Sequence, residues 1–506
     1  MKPAGLSALL AVITILNACG GGTSTTTPPP PPPPPPQVNA SIVVSNTTSG
    51  AFDLAMSTSF QPAEWDYQFF QRFPNDTTPL ANLQPQHIRL QGISQGVPQG
   101  MAGSGSQAWD FTVLDSIVQP VLGVGDHSPE FQIAKAPPFM YVNDDSSQSF
   151  NDPGFAQFAT YAANLVKYYD TGGFTDSSGT HISAAYPADT ITWWGIYNEP
   201  SINNNLTAAT YTSLYNALVP AMRAADPSIK FVAMELCCGS EDWVKTFVAG
   251  VTGGLPVDAV ATHYYSSCNQ SDTDAELFGT IPGFVSSIKT IRANLATNAN
   301  FANVPIWITE NNVNADFSDA NGMSVCNPGQ KFVTDKRGSS AFFAAWRPYV
   351  FSQVGQAGAA ALYHWDFDAD AQYGEINDST GQPQLSYWVD YWLAKTFPTG
   401  AGAQVLSFTN SDRSEIEVLP VVNADNSVAI LVSNHAVASP SDNNGTGVSA
   451  KVSLDLSALG TFTSASEVII DATTDAVTGP SAVSMSPQSS VTINFNGYGV
   501  AFLTLK

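Results

Sequence analysis

At roughly 150 residues per domain, a chain of 506 residues predicts two to four domains, although an α/β barrel uses about 250 as one. Only 12% of the residues are charged, and 18 Lys and Arg against 42 Asp and Glu leave a formal charge of −24. That balance excludes nucleic acid as a partner, because a polyphosphate needs clustered cations to displace its counterions, and it favours a neutral ligand over a polyanionic one.

Residues 1–19 read as a targeting segment, with Lys2, an apolar run from Leu6 to Leu16, and small residues ending at Cys19. The apolar run is too short to span a bilayer. Leu16-Asn17-Ala18-Cys19 resembles the lipobox of bacterial lipoproteins, which implies lipidation at Cys19. Residues 20–38 form a linker rich in Gly, Thr and Pro, and its nine prolines from Pro28 to Pro36 predict a stiff polyproline II rod of about 3.1 Å per residue. An exported bacterial protein follows, periplasmic or cell-surface, that meets a membrane only through a lipid anchor.

Residues 39–398 alternate short β-rich apolar runs with helical stretches. The strands begin at Ala51, His87, Glu130, Ile191, Lys230, Asp258, Pro305 and Ala360, and the clearest helices are Asp152 to Asp170, Thr207 to Asp226 and Arg337 to Gly355. Eight such repeats predict an α/β fold, a (β/α)8 TIM barrel. Residues 399–506 turn to period-two runs with no helix, which predicts a C-terminal all-β sandwich, with "NASIVVS" at 39–45 a candidate extra strand.

With Cys19 lipidated, Cys237, Cys238, Cys268 and Cys326 remain, an even number suited to two disulfides in an oxidising compartment. The neighbours Cys237 and Cys238 are poorly placed to pair together, so each is expected to reach one of Cys268 and Cys326. Zinc is disfavoured, because no second closely spaced ligand pair exists. The alternating acids Asp366, Asp368 and Asp370 lack the glycine and distal glutamate of a calcium loop and read as a solvated loop. No metal or cofactor is implied, and no sequence feature bears on oligomeric state.

In a parallel barrel, side chains at the C-terminal strand ends converge on one face. The polar residues ending apolar strands are Arg89, Asn198 and Glu199, His263 and Tyr265, Glu310, and Trp365. Two glutamates ending strands four and seven suit glycosidic cleavage, where one carboxylic acid protonates the leaving oxygen and a second carboxylate attacks the anomeric carbon. Arg89 and Tyr265 are expected to donate to Glu310 and keep it ionised, while Trp193, Trp194 and Tyr197 desolvate Glu199 and favour its acid form.

At these residues, "NEP" after the fourth strand and "ITEN" ending the seventh resemble the retaining glycoside hydrolases of clan A, over about residues 50–397. The resemblance implies Glu199 as acid/base, Glu310 as nucleophile, Asn198 on the sugar 2-hydroxyl, His263 and Tyr265 lining the site, and Trp365 as a sugar platform. "HIRLQGIS", "WWGIYNEPS" and the β-rich tail are most similar to family 39, of β-xylosidases and α-L-iduronidases, although Gln91 replaces a frequent histidine and "ENNVN" departs from the usual residues. The expected partner is a neutral carbohydrate. Competing expectations are an endo-acting glucanase or mannanase of the same clan and a non-catalytic carbohydrate-binding surface lipoprotein.

Overall fold

The computed structural model describes residues 37–61, 68–91, 109–124, 128–145, 147–185, 188, 191–202, 206–237 and 239–506. Cys19, the linker prolines and Cys238 lie outside the described residues. Among the described residues no helix is long and apolar enough to cross a membrane.

Strand β1 (Gln37–Ala51) precedes eight barrel strands: β2 (Ala55–Phe60), β3 (Ile88–Leu90), β4 (Glu130–Ile133), β5 (Trp193–Ile196), β6 (Lys230–Leu236), β7 (Ala259–Ser267), β8 (Ile306–Asn314) and β9 (Ala361–His364). They pair in parallel, in chain order, and close into a barrel. After each comes a helix: α1 (Thr77–Leu83), α2 (Thr112–Gly123), α3 (Ala156–Thr171), α4 (Ala208–Ala225), α5 (Asp242–Gly250), α6 (Asp274–Leu295), α7 (Ala341–Gln356) and α8 (Leu385–Thr396). The fold is therefore the eightfold barrel expected from the alternation. The first strand starts later than its apolar run suggests, because Ala51 ends β1 and the barrel uses the polar-looking "AMSTSF". Its hydroxyls are satisfied inside: Thr58 donates to Glu375 at 2.6 Å and Ser59 to the Thr309 carbonyl at 3.0 Å.

Inside the barrel, small residues alternate with large ones, so Ala55, Ala259, Ala261 and Ala361 leave room for Trp193, Trp307 and Tyr363. Each tryptophan takes roughly 150–250 Å² out of water, worth about 4–6 kcal/mol before ordering costs. Trp193 thus faces inward against Trp307, at 4.4 Å between ring centroids, and Trp194 faces outward against Phe131 at 5.4 Å. Helices α4, α6 and α7 start on side-chain caps from Thr207, Thr273 and Ser340, and Thr273 with Glu276 forms a reciprocal capping box at α6.

The strands after the barrel are β10 (Gln404–Asn410), β11 (Ile416–Val422), β12 (Val428–Asn434), β13 (Ser449–Asp455), β14 (Ala465–Asp471), β15 (Val483–Met485), β16 (Ser490–Phe495) and β17 (Gly499–Leu505). With β1 they make one nine-stranded sheet in the order β15-β14-β17-β12-β11-β10-β1-β13-β16. One face of both halves enters a single core around Ile42, Val418, Ile430, Val452, Ile493 and Leu503. On the other face Leu419, Leu431, Ile470 and Phe502 join the barrel's core. Covered on both faces, β12 is buried throughout and shows no alternation. Between barrel and sheet runs α7, apolar on nearly every side, as a helix buried all round must be.

The disulfide expectation needs correction. Cys268 pairs with Cys326, Cα to Cα 5.7 Å, so neither is available to Cys237 or Cys238. Cys268 directly follows β7 and Cys326 lies in the long loop after β8; adjacent strands bring these loops together, which sequence distance conceals.

Candidate active site

At the C-terminal end of the barrel the structure brings Arg89, Asn198, Glu199, His263, Tyr265, Glu310 and Trp365 together. Glu310 lies on β8 just past an irregularity in its pairing with β7, which leaves Thr309 unpaired and sets Glu310 beside His263. Its Oε1 accepts from Arg89 Nη1 at 3.2 Å and its Oε2 from the Tyr265 hydroxyl at 2.9 Å. Glu199 stands three residues beyond β5 in the left-handed region, φ 45°, where its amide donates to the Glu235 carbonyl at 3.1 Å. His263 Nδ1 lies 2.9 Å from Glu199 Oε1 and 3.4 Å from Glu310 Oε2. An oxygen of each carboxylate and one imidazole nitrogen all fall within 4.8 Å of one another.

Arg89 is fully buried. Besides Glu310 it donates to Gln91 Oε1 at 2.5 Å, to Asn198 Oδ1 at 3.1 Å and to Glu235. Gln91, at the position where family 39 often has a histidine, also accepts from the Trp365 indole at 2.9 Å, so one amide oxygen ties guanidinium to ring. Trp365 packs edge-on against Tyr373 and Tyr265, at 4.7 and 6.3 Å. Asn198 Oδ1 also accepts from Gln132 at 2.7 Å.

The electrostatics depart from expectation. Arg89 and Tyr265 do donate to Glu310, but burial is the larger influence and pushes the Glu310 carboxyl up, with Glu199 adding to it while His263 and Arg89 pull it down. The desolvated glutamate is Glu310, whose side chain is 6% exposed, against 18% for Glu199. The three aromatics expected around Glu199 pack elsewhere: Trp193 below the site, Trp194 outside the barrel, and Tyr197 with its hydroxyl 3.0 Å from that of Tyr141. For His263, burial works against the charged ring, yet Glu310, Glu199 and Glu235 outweigh it and push its pKa up to about 9. The free site at neutral pH therefore holds an imidazolium between two glutamates.

Three residues under the site escaped the sequence reading: Glu130, Gln132 and Glu235, all buried. Glu235 ends "KFVAME", so the strand-end rule that selected Arg89 and Glu310 applies to it equally. Glu130 opens its strand and gave no such signal. A further correction concerns the acidic loop, since Asp366 and Asp368 are buried and Asp370 is half-buried. The loop folds inward: Asp366 accepts from the Gln61 amide at 3.2 Å and the Phe367 amide at 2.6 Å, and Asp370 from the Thr334 hydroxyl at 3.0 Å.

Residues 152–349 match the family model described as Cellulase (glycosyl hydrolase family 5). Among solved structures the chain is similar to a monomeric β-xylosidase from Caulobacter crescentus CB15, with TM-score 0.64 and 16% identity over 93% of this chain and 99% of that one. A family 39 β-xylosidase from Caulobacter crescentus gives 0.58 and 15% over 92% and 99%. The catalytic domain of family 30 xylanase C from Talaromyces cellulolyticus gives 0.57 and 17% over 92% and 100%. No curated protein matches the sequence. The matched family is 5 rather than 39, and both lie within clan A. The family match over residues 152–349, together with the fold shared with these clan A structures, supports a glycosidase.

Proposed function

We propose that this clan A glycosidase cleaves a neutral glycoside, β-xyloside best, with net retention by double displacement. The observation that supports it most is the approach of Glu199 and Glu310 oxygens to within 4.8 Å around one imidazole nitrogen. Retaining enzymes hold their two carboxyl groups about 5–5.5 Å apart, whereas inverting ones leave about 6.5–9.5 Å for a water. Glu310, aimed by Arg89 and Tyr265, attacks the anomeric carbon. Glu199, the more open of the two, protonates the leaving oxygen and later takes a proton from the water that releases the sugar. Asn198, fixed by Arg89 and Gln132, stands beside Glu199 to meet the sugar 2-hydroxyl, and Trp365 offers an aromatic wall.

Hydrolysis of aryl β-xyloside, β-glucoside, β-galactoside, β-mannoside and α-arabinoside, with the anomer of the first product read by NMR, tests this. Glu310→Ala and Glu199→Gln should each lose most turnover, and near-normal activity of either on an activated aryl glycoside would remove its role. The family 5 match favours a second reading, an endo-acting glucanase, which polymer cleavage without aryl xyloside hydrolysis would support. The lipobox-like Leu16 to Cys19 and the proline tether support export with a lipid anchor. Fatty-acid labelling of the wild type but not of Cys19→Ala is its test.

A further inference from the structure

Below the two site glutamates, Glu130 on β4 and Glu235 on β6 are fully buried on either side of β5. They meet over Gly195, where an added Cβ would stand 2.3 Å from Glu235 Oε1 and 2.9 Å from Glu130 Oε1. Among the described residues, no N–H or O–H donates a hydrogen bond to either Oε1. Their other oxygens are engaged: Tyr363 donates to Glu130 Oε2 at 3.0 Å, while Gln132 at 3.0 Å and Arg89 donate to Glu235 Oε2. Arg89 Nε is 3.9 Å from Glu130 Oε1, too far for a hydrogen bond. Two buried, ionised carboxylates facing each other repel, and a single proton between them turns that repulsion into a hydrogen bond.

We propose that Glu130 and Glu235 share one proton over Gly195, and that the charge this leaves on Glu235 holds the His263 imidazole protonated beneath Glu199 and Glu310. Burial and the neighbouring Glu235 push the Glu130 carboxyl up to about 8 against the pull of Arg89. Glu235 goes the other way; burial raises it, but Arg89 and His263 prevail and hold it low. The groups facing His263 are Glu199 and Glu310 at Nδ1, Glu235 Oε2 at 3.8 Å from Nε2, and Tyr265 from its own strand, whose proton goes to Glu310. Arg89 stands between Glu235 and Glu310. Glu235 touches no expected substrate atom and acts through Arg89 and His263, which makes it a positioning residue. Its effect on turnover rests on the glycosidase reading; the shared proton does not.

Infrared difference spectra test the pair in sugar-free protein. The wild type at pH 6 should show one more protonated-carboxyl C=O band than Glu130→Gln, fading as the pH passes about 8. A wild type without that extra band, as two ionised carboxylates bridged by water would give, overturns the shared proton. NMR titration of the His263 ring tests the coupling: the wild type should titrate near pH 9, and Glu235→Gln at least one pH unit lower, a tenfold change in acidity. Unchanged titration overturns it. Should Glu235→Gln not fold, the wild-type His263 resonances should still record a step near pH 8 that Glu130→Gln lacks, and absence of that step is equally fatal. In turnover, Glu235→Gln should move the alkaline limb of kcat/KM down by about one pH unit, where a merely structural role would lower kcat and leave the limb in place. A protein hydrolysing no glycoside would sink the proposed function and leave both spectroscopic results to stand.

Discussion

Arg89→Met removes the one guanidinium that serves Glu235, Glu310, Gln91 and Asn198 from a fully buried position. Breaking one side of a buried ion pair costs about 3–5 kcal/mol, because a charge is left without its partner. Here two carboxylates lose it, so the upper part of that range is expected at pH 7. Glu235 has its pKa lowered in the folded protein, so its contribution is present above the unfolded value, about 4.3, and is lost as the pH falls through the folded one. The deficit of the variant should therefore be full at pH 7 and narrow only in stronger acid, as the pH falls through the lowered folded value of Glu235. Urea unfolding followed by tryptophan fluorescence at pH 7 and in such acid measures it. A deficit under about 1 kcal/mol at pH 7, or one of equal size at both, would refute the electrostatic reasoning.

Glu417 on β11 is buried against α7, where it accepts from Ser352 at 2.5 Å and Gln353 at 2.9 Å, and burial pushes its pKa from 4.5 up to about 7. A raised folded pKa gives stability that is present below the unfolded value and lost as the pH rises through 7, on the order of 3 kcal/mol. Glu417→Gln should therefore melt above the wild type at pH 8 and level with it near pH 4.5; an equal gap at both would count against burial of the carboxyl between β11 and α7 as the cause. The Cys268–Cys326 bond spans 58 residues, for which chain entropy gives about 4 kcal/mol. The double serine variant should lose stability of that order in denaturant titration, and a midpoint matching the oxidised wild type would contradict it.

Much of the site was legible because the barrel converts strand order into convergence. Glu199 and Glu310 end apolar strands, and polar side chains at such positions meet once the sheet closes. Glu235 ends "KFVAME" in the same way and was equally legible. The rest depended on contacts that no local pattern encodes. Which glutamate loses water followed from the turn lifting Glu199 clear of Trp193, and from the strand irregularity that seats Glu310 within the wall. The disulfide followed from the adjacency of β7 and β8. In the all-β tail six runs read as strands, β12 among them although it has no period because both its faces are covered, whereas "QVLSFTN" and "VSM" carried too little pattern to read.

Strand β1 lies seventh of nine, antiparallel to β10 and parallel to β13, with Ile42 opposite both Asn410 and Leu454. Strand β1 leaves the ribosome before the barrel and waits for neighbours made more than three hundred residues later, while the intervening barrel can already fold from sequential contacts. A fragment starting at residue 399 would lack the strand that joins its two halves, and one ending before β10 would present an unpaired edge. Birth of the finished molecule is thus a stitching together of head and tail, and shortened versions should be drawn to include both.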